Sequence, residues 1–134
     1  MSGVVVDTSA MVAILADEQG RGRLTEWLDS ASDRLMAASA VLELGIVLEA
    51  RAPASTGIAL RAVRDCRITV VPFDERLAVR AIDAWRRFGR GRHSAALNFG
   101  DCCTYALAED AGHPILCTGD DFSRTDLPVL RPGA

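Results

Sequence analysis

The stretch VVVDTSAMVAIL, residues 4–15, limits the possible folds more than any other part of this 134-residue chain. Three β-branched residues in a row read as a strand. The run AMVAIL turns at once to a helix. Read on through the chain, the same alternation predicts strand 3–7, helix 9–17, helix 20–30, a short strand 34–37, helix 40–51, helix 54–65, strand 68–71, helix 75–88, a loop GRGRHSAAL, helix 99–111, strand 114–118 and a weak strand near 128–130. This is an α/β pattern: a small parallel sheet flanked by helices on both faces, with 1–134 expected to form a single domain.

Composition narrows the chemistry. With 49% hydrophobic residues the chain has enough apolar material for one real core, and no run approaches the length needed to span a bilayer. The start MSGVVVD lacks the basic stretch and long apolar core of a signal peptide, so a cytoplasmic protein is expected. Cys66, Cys102, Cys103 and Cys117 form no CxxC pair and read as free, mostly buried thiols. All fifteen basic residues are Arg. A P-loop nucleotidase, a Schiff-base enzyme and a phosphoacceptor receiver domain each depend on a Lys, so these classes are excluded. The net charge of −3 argues against nucleic-acid binding unless several acids are gathered around a cation that cancels them.

The acids converge. Asp7 ends the first strand, and Asp120 and Asp121 follow the strand PILCT. Helix 99–111 reaches that strand through two residues, so it runs antiparallel to it and returns its start, with Asp101, to the strand's carboxyl end. Helix 40–51 leaves strand 34–37 almost directly and carries Glu43 on the same rim. Open α/β sheets place their ligands there. Each acid has a plainer explanation alone. Asp7 can cap the following helix, although Ser9 can do so equally well. Glu43, with Ser39, Ala40, Ile46 and Val47 as helical neighbours, can pair with an Arg; Asp101, three residues after Asn98, suits a capping box; Asp120 and Asp121 suit a turn. Independent capping and turn roles would not require four sites to share one edge. Carboxylates crowded in a crevice raise one another's pKa unless a cation lies between them, and Mg2+ or Mn2+ is the hard, oxygen-preferring ion for such a site. The implied chemistry is phosphodiester hydrolysis by a metal-oriented water.

VVVDTSAMVAIL, ASAVLELGIVLEA, RFGRGRHSAALNFGDCCTYALA and ILCTGDDFSRTD resemble, in order and spacing, the acidic motifs of PIN-domain ribonucleases, particularly VapC-type toxins of toxin–antitoxin pairs. The likeness spans nearly the whole chain and is most specific over 88–107. It implies a PIN-like fold and a Mg2+- or Mn2+-dependent endoribonuclease. By the same resemblance Asp7 and Asp101 would be the principal metal ligands, and Glu43 would ligate the metal or orient its water. The fourth acid is Asp120 or Asp121. Asp121 is favoured because the first place often carries Asn in similar sequences. Ser9 and Thr118 match hydroxyls near the metal. The resemblance further implies homodimerisation and inhibition by a cognate VapB-type antitoxin.

The loop RRFGRGRH carries Arg86, Arg87, Arg90, Arg92 and His93 with no acid among them. Forked guanidinium groups suit phosphate, which makes Arg90, Arg92 and His93 candidates for RNA contact, against a plain solvated helix end. Two other functions compete: a phosphatase using Asp7 as a covalent nucleophile, disfavoured by Ser9 where a second Asp is usual, and a non-catalytic PIN-like module whose acids only receive an Arg-rich tail.

Overall fold

The computed structural model describes residues 2–133. Five strands form one parallel sheet: β1 (Gly3–Val6), β2 (Asp33–Ala37), β3 (Thr69–Val71), β4 (Ile115–Leu116) and β5 (Val129–Leu130), in the order β3-β2-β1-β4-β5. The valine strand is central. Val4, Val5 and Val6 are wholly buried, with β2 on one side and β4 on the other, as an uninterrupted apolar strand requires.

Among the described residues six α-helices complete the fold: α1 (Thr8–Leu15), α2 (Arg21–Ser30), α3 (Ala38–Arg51), α4 (Thr56–Asp65), α5 (Glu75–Phe88) and α6 (Phe99–Ala111). Helix α6 packs on β1 and β2, α3 on β2 and β3, and α2 on β4, so the helices sandwich the sheet. Their ends follow local chemistry. Asp74 caps α5 by accepting the Leu77 N–H at 3.0 Å, Glu75 begins that helix, and Arg86 and Arg87 close it, each charge suited to the dipole. Helix α6 stops at Gly112, whose φ of 71° is the left-handed cap that favours glycine.

All the expected elements form. The expected strand 114–118 shortens to Ile115–Leu116: the Cys117 N–H still donates to the Leu130 carbonyl at 3.1 Å, but the Thr118 N–H goes to the Ser9 hydroxyl instead of a neighbouring strand. The expected helix 9–17 begins at Thr8 and ends at Leu15. The loop GRGRHSAAL is closed upon itself: the Arg90 N–H donates to the Leu97 carbonyl (3.0 Å) and the Leu97 N–H to that of Phe88 (2.9 Å). The chain leaves β1 toward β2 on one side and later returns to β4 on the other. The carboxyl ends of β1 and β4 therefore flank the point where the winding reverses, where a parallel sheet leaves a crevice.

Candidate active site

A cleft of about 340 Å3 opens in that crevice, and Asp7, Ser9, Glu43, Asp101 and Thr118 line it. Asp121 lines its continuation beside Asp7, Ser9 and Asp101. The acids thus arrive from four segments: the end of β1, helix α3, the first turn of α6 and the segment after β4.

Asp7 is buried and is itself the cap of α1. Its Oδ2 accepts the Ser9 N–H at 3.0 Å and the Ser9 hydroxyl at 2.6 Å. The expectation that Ser9 could take over capping is therefore corrected. Ser9 lies inside the first turn, and its hydroxyl is spent on Asp7 while accepting the Thr118 N–H at 3.2 Å. The Asp7 N–H donates to the Leu116 carbonyl at 2.9 Å. These bonds stitch the ends of β1 and β4 together and hold one Asp7 oxygen in place. Burial pushes the Asp7 pKa up, opposed by the Ser9 and Thr104 hydrogen bonds and reinforced by the charge of Glu43.

Asp101 also has two attachments. Its carboxylate accepts the Asn98 N–H at 3.1 Å and the Asn98 side chain accepts the Asp101 N–H at 2.9 Å, a complete capping box. Its pKa nonetheless rises to about 6, first through burial and then through the charges of Asp7, Asp121 and Glu43. The cap accounts for its helical position. It does not account for three other carboxylates facing it.

Glu43 is half-buried and has no ion pair among the described residues, so the Arg-partner reading is not realised. Gly100 makes room for it. A Cβ at Gly100 would stand 2.7 Å from Glu43 Oε2 and 2.8 Å from Oε1, so the carboxylate rests against the bare start of α6. The two adjacent acids separate clearly. Asp120 pairs with Arg124 at 3.2 Å in solvent and is absent from the cleft lining, whereas Asp121 faces Asp101.

The basic loop is only partly free. Arg87 pairs with Asp126 at 2.8 Å and with Glu109 at 3.5 Å, and the Arg92 guanidinium lies 4.3 Å from the Trp85 ring centre. His93 Nδ1 accepts the Ala95 N–H at 3.0 Å, and its ring meets Phe88 edge-on, so part of His93 serves loop closure. Arg90 is exposed. Arg124, bonded to the Ser94 carbonyl at 3.1 Å, joins this loop to the segment carrying Asp120 and Asp121.

Three contributors escaped the sequence reading. Thr104 lies one helical turn past Asp101, a spacing that could have revealed it. Glu18 and Arg51, which line the outer cleft, sit in a polar loop and at a helix end and carried no local signal. The four thiols are free, as expected. Burial, with Asp7 next, pushes that of Cys117 beside the cleft up to about 12, which removes it as a nucleophile.

A sequence profile of the PIN domain matches residues 4–127. The chain is 41% identical over 132 residues to the VapC ribonuclease Mb0640 of Mycobacterium bovis, covering 95% of this chain and 98% of that protein. It belongs to the VapC ribonucleases of the PIN-domain family. The fold agrees with solved structures. The crystal structure of Mycobacterium tuberculosis VapC20, a Sarcin-Ricin loop cleaving toxin, superposes with a TM-score of 0.77 at 21% identity, covering 96% of this chain and 99% of that one. A toxin–antitoxin complex from Klebsiella pneumoniae gives 0.71 at 11% identity over 95% and 96%. Family membership sets aside the aspartyl-phosphate alternative.

The carboxylates and hydroxyls of the cleft offer oxygen donors, the kind preferred by hard divalent ions. Among the described residues no three acidic, histidine or cysteine side chains stand close enough to cage an ion alone.

Proposed function

We propose that this VapC-family chain is a Mg2+- or Mn2+-dependent endoribonuclease toxin that cuts RNA at the acidic cleft and is neutralised by a cognate VapB-type antitoxin. The observation carrying this reading is the convergence of Asp7, Glu43, Asp101 and Asp121, from four segments of the chain, on one cleft and its continuation; burial first, and then the charges of the other three, push the Asp101 pKa up to about 6. A fold maintains such repulsion readily when a cation relieves it.

Asp7 and Asp101 are the proposed holders of the ion. Glu43, half-buried and without an ion pair, is suited to accept a hydrogen bond from an attacking water, and Asp121 to close the fourth side; the exposed, Arg-paired Asp120 is the weaker choice. Ser9 keeps Asp7 from swinging, and Thr118 joins it at the rim. A bound divalent ion supplies positive charge to the scissile phosphate and its leaving oxygen. Arg90 and Arg92, with the remaining nitrogen of His93, are the proposed RNA-backbone contacts.

The antitoxin reading is supported by the toxin–antitoxin complex that shares this fold. Pairing of two copies is supported by apolar side chains exposed on α3 and α5, Leu42, Ile46, Val79 and Ile82. Residues 1–134 are proposed to act as one unit, and no helix among the described residues is long and apolar enough to cross a membrane.

The test is RNA cleavage by purified protein with Mg2+, with Mn2+ and with EDTA. Asp7→Asn keeps shape and capping oxygen but loses a charge, so its cleavage is expected to fall by orders of magnitude while the fold persists. Wild-type cleavage by Asp7→Asn at limiting Mg2+ would return Asp7 to a capping role alone. Cleavage undiminished by EDTA would overturn the metal. No cleavage by the wild type under any condition would favour a non-catalytic binding module.

A further inference from the structure

Among the described residues Arg51 is the one basic side chain lining the outer cleft, beside the acids Asp7, Glu18, Glu43 and Asp101. It ends α3, the helix that carries Glu43, and lies two turns further along, about 12 Å by helical rise. Its Nη1 stands 3.6 Å from Glu18 Oε2, longer than a direct hydrogen bond, and the two side chains are 53% and 47% exposed. A half-exposed pair of this kind is held only weakly in water. No hydrogen bond engages the rest of the guanidinium among the described residues.

We propose that Arg51 is a phosphate-binding residue of the cleft, which takes an RNA phosphate flanking the scissile one, and that Glu18 occupies it when RNA is absent. The inference rests on the ribonuclease reading and extends it to a second point of substrate contact. A guanidinium that donates two parallel N–H bonds to phosphate oxygens holds more strongly than one long contact to a solvated carboxylate, so RNA displaces Glu18. The distance from Glu43 makes Arg51 a binding residue for a neighbouring nucleotide and keeps it from the reacting phosphorus. Glu18 lies in the connection from α1 to α2, directly after Asp17, whose φ of 53° sets the turn. It can release Arg51 without disturbing either helix.

The experiment measures binding of a fluorescein-labelled, mixed-sequence single-stranded RNA by anisotropy over a range of salt. Ca2+ replaces Mg2+ to neutralise the acids while slowing turnover. Arg51→Gln is expected to weaken binding roughly tenfold and to lower the slope of log K against log salt by about 0.7, one lost phosphate contact. Arg51→Lys should keep the slope and lose part of the affinity, because the charge stays and the fork goes. Glu18→Gln should tighten binding by up to about fivefold, the opposite sign. A strap that merely joins the α1–α2 connection to α3 would behave differently: both variants would lower the melting temperature together and neither would tighten RNA. That result, or an unchanged slope in Arg51→Gln, overturns the proposal. Cleavage by the wild type in Mg2+ or Mn2+ is followed in parallel. Cleavage with an unmoved slope removes Arg51 alone, whereas absence of cleavage with a moved slope removes the nuclease reading and leaves Arg51 as an RNA contact.

Discussion

Asp101 meets a local requirement and a distant one with the same carboxylate. Its oxygen closes the Asn98 capping box, and its charge faces Asp7, Asp121 and Glu43. In the metal-free protein its folded pKa of about 6 lies above the ordinary 3.8, so the folded state holds the proton more tightly than the unfolded chain. The associated stability is full below about pH 4 and is lost as pH rises through about 6. Solvent screening at a partly exposed group reduces the effect to the order of 1 to 2 kcal/mol. Asp101→Asn keeps a capping oxygen and cannot ionise. In EDTA it should match or exceed the wild type at pH 7 and lose that advantage near pH 4, as read by urea unfolding at both pH values. A variant less stable at pH 7 would mean that the carboxylate charge matters more to the cap than to the cluster.

Helix α6 shows how one element can build a site with its end. The capping box, the small Gly100 and the dipole gather at its start, and Glu43 of α3 leans on that start because no Cβ intervenes. Gly100→Ala should place a methyl group where the Glu43 carboxylate lies. That carboxylate is the far end of a flexible side chain and can move, so the expected change in stability is under about 1 kcal/mol, helped by the helix preference of Ala. Cleavage is expected to fall at least tenfold through displacement of Glu43. Thermal unfolding and initial rates on the same preparation separate the two effects; full activity in Gly100→Ala would show that the position of Glu43 is not critical. The rest of α6 is tied down away from the cleft. Buried Tyr105 donates to Asp126 at 2.5 Å, and Arg80 reaches Glu109 at 3.1 Å.

At the scale of the whole molecule the site is a consequence of winding. Because β1 sits between β2 and β4, the first and fourth strands end side by side, and Asp7 and Thr118, over a hundred residues apart, are joined through Ser9. Under the proposed function the gathered acids bind a divalent ion that the unfolded chain, in which they are dispersed, would not. Mn2+ or Mg2+ should therefore stabilise the protein by about 1.4 kcal/mol at ten times Kd. The check is a rise of melting temperature with metal concentration at pH 7.5 that Asp101→Asn abolishes. An equal rise in that variant would move the ion elsewhere.

The sequence by itself determined the order and kind of the elements, since strand and helix periodicities, Asn98, Asp74 and Gly112 are local signals that act over a few residues. It also determined which rim of the sheet the acids share, because a two-residue connection leaves a helix only one direction. Only the tertiary structure decided which acids face one another. Asp120 and Asp121 are indistinguishable as neighbours in sequence, and the turn after β4 sends one to Arg124 and the other to the cleft. Likewise Asp7 rather than Ser9 became the cap once the Ser9 hydroxyl was bonded between β1 and β4. Glu18 and Arg51 meet across 33 positions of chain, and no local pattern encodes that meeting. Element formation is governed by short-range preferences, whereas side-chain pairing depends on loop paths and the approach of distant helices, which exist only once the core has packed.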